Sequence, residues 1–108
     1  MTKQQYILAL LKKRLMGENK PTIADIVLFG SQINGNSNQF SDYDVLIVPD
    51  QKLNWAQQRE IADVCAEISV ENEILIDYKI VSKEEIDYEP IGFHPLITNA
   101  LRNGIHTR

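Results

Sequence analysis

A chain of 108 residues, 44% of them hydrophobic, has the size and apolar content of one domain, able to bury somewhat over ~60% of its unfolded surface without staples. The formal net charge is −4, and the 11 Lys and Arg residues are dispersed apart from Lys12-Lys13-Arg14, which leaves no electrostatic footprint for extended nucleic acid and excludes template-directed polymer work. One cysteine, Cys65, excludes an internal disulfide; no apolar run approaches membrane-spanning length and the first residues lack the form of a secretory signal, so a cytoplasmic protein with no membrane attachment is expected.

The chain opens with a helix. Thr2 with Gln5 three residues later forms a capping box, and Ile7, Leu8, Leu11 and Leu15 follow as one apolar stripe up to Gly17. Lys12, Lys13 and Arg14 fall on or beside the polar side and read as a solvated face. Next, Ile26-Val27-Leu28-Phe29 is a short apolar run closed by Gly30, the pattern of a strand buried on both faces. Gly30 permits a sharp turn and a close backbone approach, and Ser31 stands where a short helix can begin, offering a hydroxyl and free N–H groups to a phosphate.

After the polar loop from Asn34 to Ser41 the chain resumes as Asp42-Tyr43-Asp44-Val45-Leu46-Ile47-Val48 before Pro49, a second strand. Side chains alternate across a strand, so Asp42 and Asp44 share one side while Tyr43, Val45 and Ile47 share the other. Two like charges about 4 Å apart repel by roughly 4 kcal/mol at an effective dielectric near 20, so holding them together requires a cation or a proton. Magnesium suits the pair, because it takes one or two carboxylates and completes its shell with water and phosphate oxygens. A calcium loop is excluded: the segment from Asn34 has no glycine at its sixth position and Val45, not glutamate, at its twelfth.

Asn54 and Gln57 give another capping box, followed by Ile61, Val64, Cys65 and Ile68 at helical spacing; this helix crosses between the second and third strands, with Cys65 a small core residue and Trp55 at its first turn. The third strand, Glu73 to Ile80, places Ile74, Ile76, Tyr78 and Ile80 on one face and Glu73, Leu75, Asp77 and Lys79 on the other. If it pairs with the second strand so that the acid faces coincide, Asp77 joins Asp42 and Asp44 beside the Gly30-Ser31 turn. Three such carboxylates can hold two metal ions for an in-line phosphoryl or nucleotidyl displacement. Ser82 to Glu85 caps a short helix that stops before Pro90. Leu96, Ile97, Ala100 and Leu101 then form the stripe of a last helix ended by Gly104. His94 and His106, twelve residues apart with no cysteine or acid at ligand spacing, are not expected to bind metal.

Gly30-Ser31, ten intervening residues, Asp42-x-Asp44 and a later strand acid resemble the minimal nucleotidyltransferases of the DNA polymerase β-like superfamily, over nearly the whole chain. The resemblance implies an α/β (α+β) nucleotidyltransferase fold: a small mixed β-sheet flanked by helices, in the order α-β-α-β-α-β-α. It implies that Ser31 and the Gly30 turn contact a nucleoside triphosphate such as ATP, that Asp42 and Asp44 ligate two Mg2+ ions, and that Asp77 ligates the catalytic ion and accepts the nucleophile's proton. Small members of this kind are often antitoxins that transfer AMP to a tyrosine of an all-helical HEPN-domain partner. Where many members carry an arginine after Gly-Ser, this chain has Gln32, Ile33 and Asn34, which leaves triphosphate binding to the metals, the backbone and Lys79. Two other functions remain open: a contact antitoxin with a vestigial site, and a small-molecule (antibiotic-type) nucleotidyltransferase. At this length no separate acceptor domain is expected, and the acceptor surface is expected from a partner or from a second copy in a homo-oligomer.

Overall fold

The computed structural model describes residues 1–30 and 42–107. Helix α1 (Lys3–Leu15) starts at the Thr2–Gln5 capping box and buries Ile7, Leu8, Leu11 and Leu15. Strand β1 (Ile23–Phe29) begins three residues earlier than Ile26, and strand β2 (Asp42–Pro49) follows; the short helix expected after Ser31 lies outside the described residues. Helix α2 (Trp55–Asn72) is capped by Asn54 and Gln57 and ends at Glu73, which takes a left-handed conformation at φ 54°. Strand β3 is Leu75–Ile80, shorter than expected because Glu73 belongs to the helix end. Helix α3 (Lys83–Tyr88), a 3₁₀ turn (Pro90–Phe93) and helix α4 (Pro95–Asn103) complete the helical part.

The strands form one sheet in the order β3-β2-β1-β4, where β4 is the two-residue strand Ile105–His106. β1 runs antiparallel to β2 and β4, and β2 runs parallel to β3. The expected mixed sheet flanked by helices is present, with β4 added after the last helix. Two residues are too short a run to show a strand periodicity. Gly104 does precede this strand, but not as a left-handed stop: its φ is −78°. A side chain there would strike Val27 and the backbone oxygens of Ala100 and Leu28, so the missing Cβ lets the end of α4 lie against β1.

One apolar core joins α1 and α2 to the sheet through Ile26, Leu28, Tyr43, Val45, Ile47 and Ile76. A smaller one on the opposite face joins α4 to Val27, Leu46, Val48 and Val81. Cys65 is 2% exposed inside the first core, and burial pushes its thiol up to about 12, consistent with an inert core residue. Arg14 is not simply solvated: it reaches from α1 to Glu71 of α2 at 2.8 Å. Trp55 faces outward, 74% exposed, with the Arg59 guanidinium 5.8 Å from its ring centre. No described helix is long and apolar enough to cross a membrane.

Glu73 generates a stability prediction. A left-handed φ costs an L-residue roughly 1 kcal/mol that glycine does not incur. Glu73→Gly is therefore expected to raise the urea midpoint, by an amount worth several tenths to about 1 kcal/mol; a midpoint unchanged or lowered would show that the helix end is not strained.

Candidate active site

The crossover through α2 decides where the acids meet. Parallel neighbours cannot be joined by a hairpin. Here the 18 residues of α2 carry the chain back so that β3 enters the sheet in the same direction as β2. The register pairs Asp42 with Leu75, Asp44 with Asp77 and Leu46 with Lys79. Residues opposite one another share a face, so Asp42, Asp44, Asp77 and Lys79 all stand on the side away from α1 and α2.

Gly30 sits at the end of β1, where Phe29 pairs with Asp44. Its φ is +83°, and a Cβ there would overlap the Asp44 carboxylate. Glycine at this position is thus required twice, for the left-handed turn and for the space Asp44 occupies. Ser31 and the Gln32-Ile33-Asn34 turn lie outside the described residues.

Asp44 is half-buried, and its carboxyl is held above the ordinary carboxylate range. Burial is the largest cause; the negative charges of Asp77 and then Asp42 add to it, and Lys79 opposes it. Asp44 thus feels the charges of the other three side chains on this face. Asp42 is partly exposed, while Asp77 and Lys79 are exposed on β3, an edge strand of the sheet among the described residues.

Among the described residues no group of three or more His, Cys, Asp or Glu side chains is closed up to hold a metal ion. The acids are instead brought to neighbouring register positions. That spacing suits a cation that takes few protein ligands and fills its shell with water and phosphate oxygens, as magnesium does. A donor set of carboxylates alone, one of them half-buried with two further acids as its electrostatic neighbours, fits such a hard cation.

The histidines serve the fold. His94 caps α4 by accepting the Leu96 N–H at Nδ1, 3.1 Å away. Both ring nitrogens of His106 face acceptors: Nδ1 lies 2.5 Å from Asp25 Oδ2 and Nε2 lies 2.9 Å from the Leu101 carbonyl oxygen. Asp25 was not singled out from the sequence, yet it is only 4% exposed. The available signal was an acid next to the apolar run that starts at Ile26.

The family model described as polymerase beta, nucleotidyltransferase matches residues 11–100. The chain belongs to this nucleotidyltransferase family. No curated protein matches it in sequence. Among solved structures it resembles a toxin–antitoxin crystallised with AMP-PNP, at 19% identity and TM-score 0.55, over 73% of this chain and 57% of that one. It also resembles a double aspartate-to-glutamate mutant of the toxin–antitoxin MntA-HpeT, at 14% identity and TM-score 0.58, over 97% of this chain and 71% of that one. The chain thus spans little more than half the length of the first of these. At such identities the likeness establishes the fold, in agreement with the mixed sheet flanked by helices.

The raised pKa of Asp44 carries a pH prediction. Between its ordinary and its raised pKa the folded state binds more protons than the unfolded state, so stability falls as pH rises through that interval and stays lower above it. Asp44→Asn removes the penalty. In metal-free buffer at neutral pH it is expected to melt a few degrees above the wild type, and this gain should vanish once acid protonates Asp44 in both states. A lower melting temperature at neutral pH would contradict the repulsion.

Proposed function

We propose that the protein is a magnesium-dependent nucleotidyltransferase that moves a nucleoside monophosphate, AMP from ATP, onto a hydroxyl. The observation that carries this reading is the register of Asp44 opposite Asp77, with Asp42 on the same face and the Gly30 turn against Asp44, in a chain of this family. Asp42, Asp44 and Asp77 are the residues that would hold two Mg2+ ions. When bound, magnesium neutralises phosphate charge and polarises the phosphorus under attack.

The chain's own residues account for the rest. The acceptor oxygen forms a bond to the α-phosphorus, the bond from that phosphorus to the bridging oxygen breaks, and pyrophosphate departs. Asp77, exposed at the sheet edge, takes the hydroxyl proton. Lys79, one side-chain pair further along the same face, offers a positive charge to phosphate oxygens, and the Gly30 turn and Ser31 approach the triphosphate through backbone N–H groups.

For the acceptor we take a tyrosine on an all-helical, HEPN-type toxin, with this chain as the antitoxin. Both similar structures are described as toxin–antitoxin complexes, one of them with AMP-PNP. A second reading, contact inhibition through a vestigial site, is favoured by the open arrangement of the acids and by the uncharged residues after Ser31.

One experiment separates the two. The purified protein is incubated with α-labelled ATP, magnesium and the product of the neighbouring gene; label is expected on a tyrosine of that product, and none with Asp44→Asn. Stable binding without transfer, across nucleotides and divalent metals, would leave the contact inhibitor. A melting experiment tests the site alone. Magnesium with ATP is expected to raise the melting temperature of the wild type and to do so far less in Asp42→Asn, whereas an unresponsive wild type would argue against a competent site.

A further inference from the structure

The acid-bearing face holds a second feature further along β3. Lys79, Val81, Ile91, His94, Leu96 and Ile97 surround a pocket of about 150 Å³ whose exposed walls are apolar. This is room for about five waters at roughly 30 Å³ each, enough for one flat ring system and too little for a segment of peptide. Val81 and Ile97 are part of the buried core under α4, and the His94 ring is held in place by the Leu96 N–H. The part of the wall that Val81 and Ile97 supply is therefore fixed by the core.

Lys79 links this pocket to the acids. It shares their face and stands two residues beyond Asp77 on the same strand, a rise of about 6.6 Å. We propose that the pocket seats the base of the nucleotide, and that it does so without reading the base's hydrogen-bonding edge. The inference rests on the nucleotidyl-transfer reading above.

Separation from the reacting centre selects this occupant. A tyrosyl acceptor carries its hydroxyl directly on the ring, so a phenol ring in the pocket would leave its oxygen short of the carboxylates. A nucleotide holds its base a ribose away from the α-phosphate, which spans the step from Asp77 to beyond Lys79. Walls whose exposed surface is apolar discriminate weakly between ligands of similar shape, whereas a site built to hydrogen-bond one edge rejects the wrong partner by several orders of magnitude. The four ribonucleoside triphosphates should therefore bind within roughly tenfold of one another.

The test compares magnesium ATP with magnesium tripolyphosphate, which presents the phosphates with no base, by titration calorimetry on the whole chain. Wild type is expected to bind ATP at least tenfold more tightly. Ile91→Trp fills the pocket from its rim, where Ile91 is 37% exposed, and is expected to lower ATP affinity to the tripolyphosphate level while leaving tripolyphosphate binding intact. Leu96→Ala, which thins another wall, should give a smaller loss of the same kind. Retention of wild-type ATP affinity in both variants would overturn the pocket while leaving nucleotidyl transfer standing, as would hundredfold discrimination among the four bases. Failure of the wild type to bind either ligand would remove the nucleotide reading and the pocket together.

Discussion

The parallel pairing of β2 with β3 is the constraint on which the rest of the site depends. A strand has a side-chain period of two, so a slip of one residue would turn Asp77 toward α2 and expose Ile76 and Tyr78. The apolar residues on the helix side therefore specify the register that brings the acids together. Their anchor is the end of α2. Ser69 donates its hydroxyl to the Cys65 carbonyl at 2.7 Å and accepts the Ile76 N–H at 3.2 Å, while the Ile74 N–H reaches the Ser69 carbonyl at 3.0 Å. Helix end and strand start are thereby tied in one place, and Ile61, Cys65 and Ile68 press the same helix onto the sheet.

Two acidic centres lie on one face of this sheet and are treated in opposite ways. Asp25, near the start of β1, is buried, and its carboxyl group has partners within the chain in the His106 ring and in the Thr107 hydroxyl, 3.2 Å away. Thr107 also accepts the Ile26 N–H, so this cluster fastens the C-terminal strand. Asp44, at the other end, has two further acids as its electrostatic neighbours and Lys79 as the opposing charge. A protein that needed only a stable fold would gain by replacing such an acid with a neutral residue, since clustered carboxylates resist ionisation together. The second arrangement has a physical rationale when an external cation completes it.

Legibility in the sequence followed the range of the interactions. Capping boxes at Thr2, Asn54 and Ser82 operate over three residues, and each is present with both hydrogen bonds. The shared face of Asp42 and Asp44 needed only the strand period, and the face carrying Asp77 only an alternation of isoleucines; whether the two faces coincided depended on the register. Asp25 and His106, by contrast, are 81 residues apart, and a two-residue strand has no period to detect. Gly104 stands at the helix end that the sequence indicates, but its role comes from how closely α4 lies on β1, which is a tertiary fact.

The position of β3 at the sheet edge gives its two charges a second consequence. An exposed edge offers unpaired N–H and C=O groups to any passing strand, and charged side chains are a common defence against that pairing. Asp77 and Lys79 supply such charges on an edge strand that also exposes Leu75. The same openness bears on the acceptor. A carboxylate in the middle of the sheet, between flanking strands, would be reached only by a small alcohol entering from above, whereas one on the outermost strand can also be approached from the side by a hydroxyl mounted on a macromolecule. If transfer to a protein partner is the function, the acid that receives the proton belongs on the edge, with the more buried Asp44 beside it to define the site.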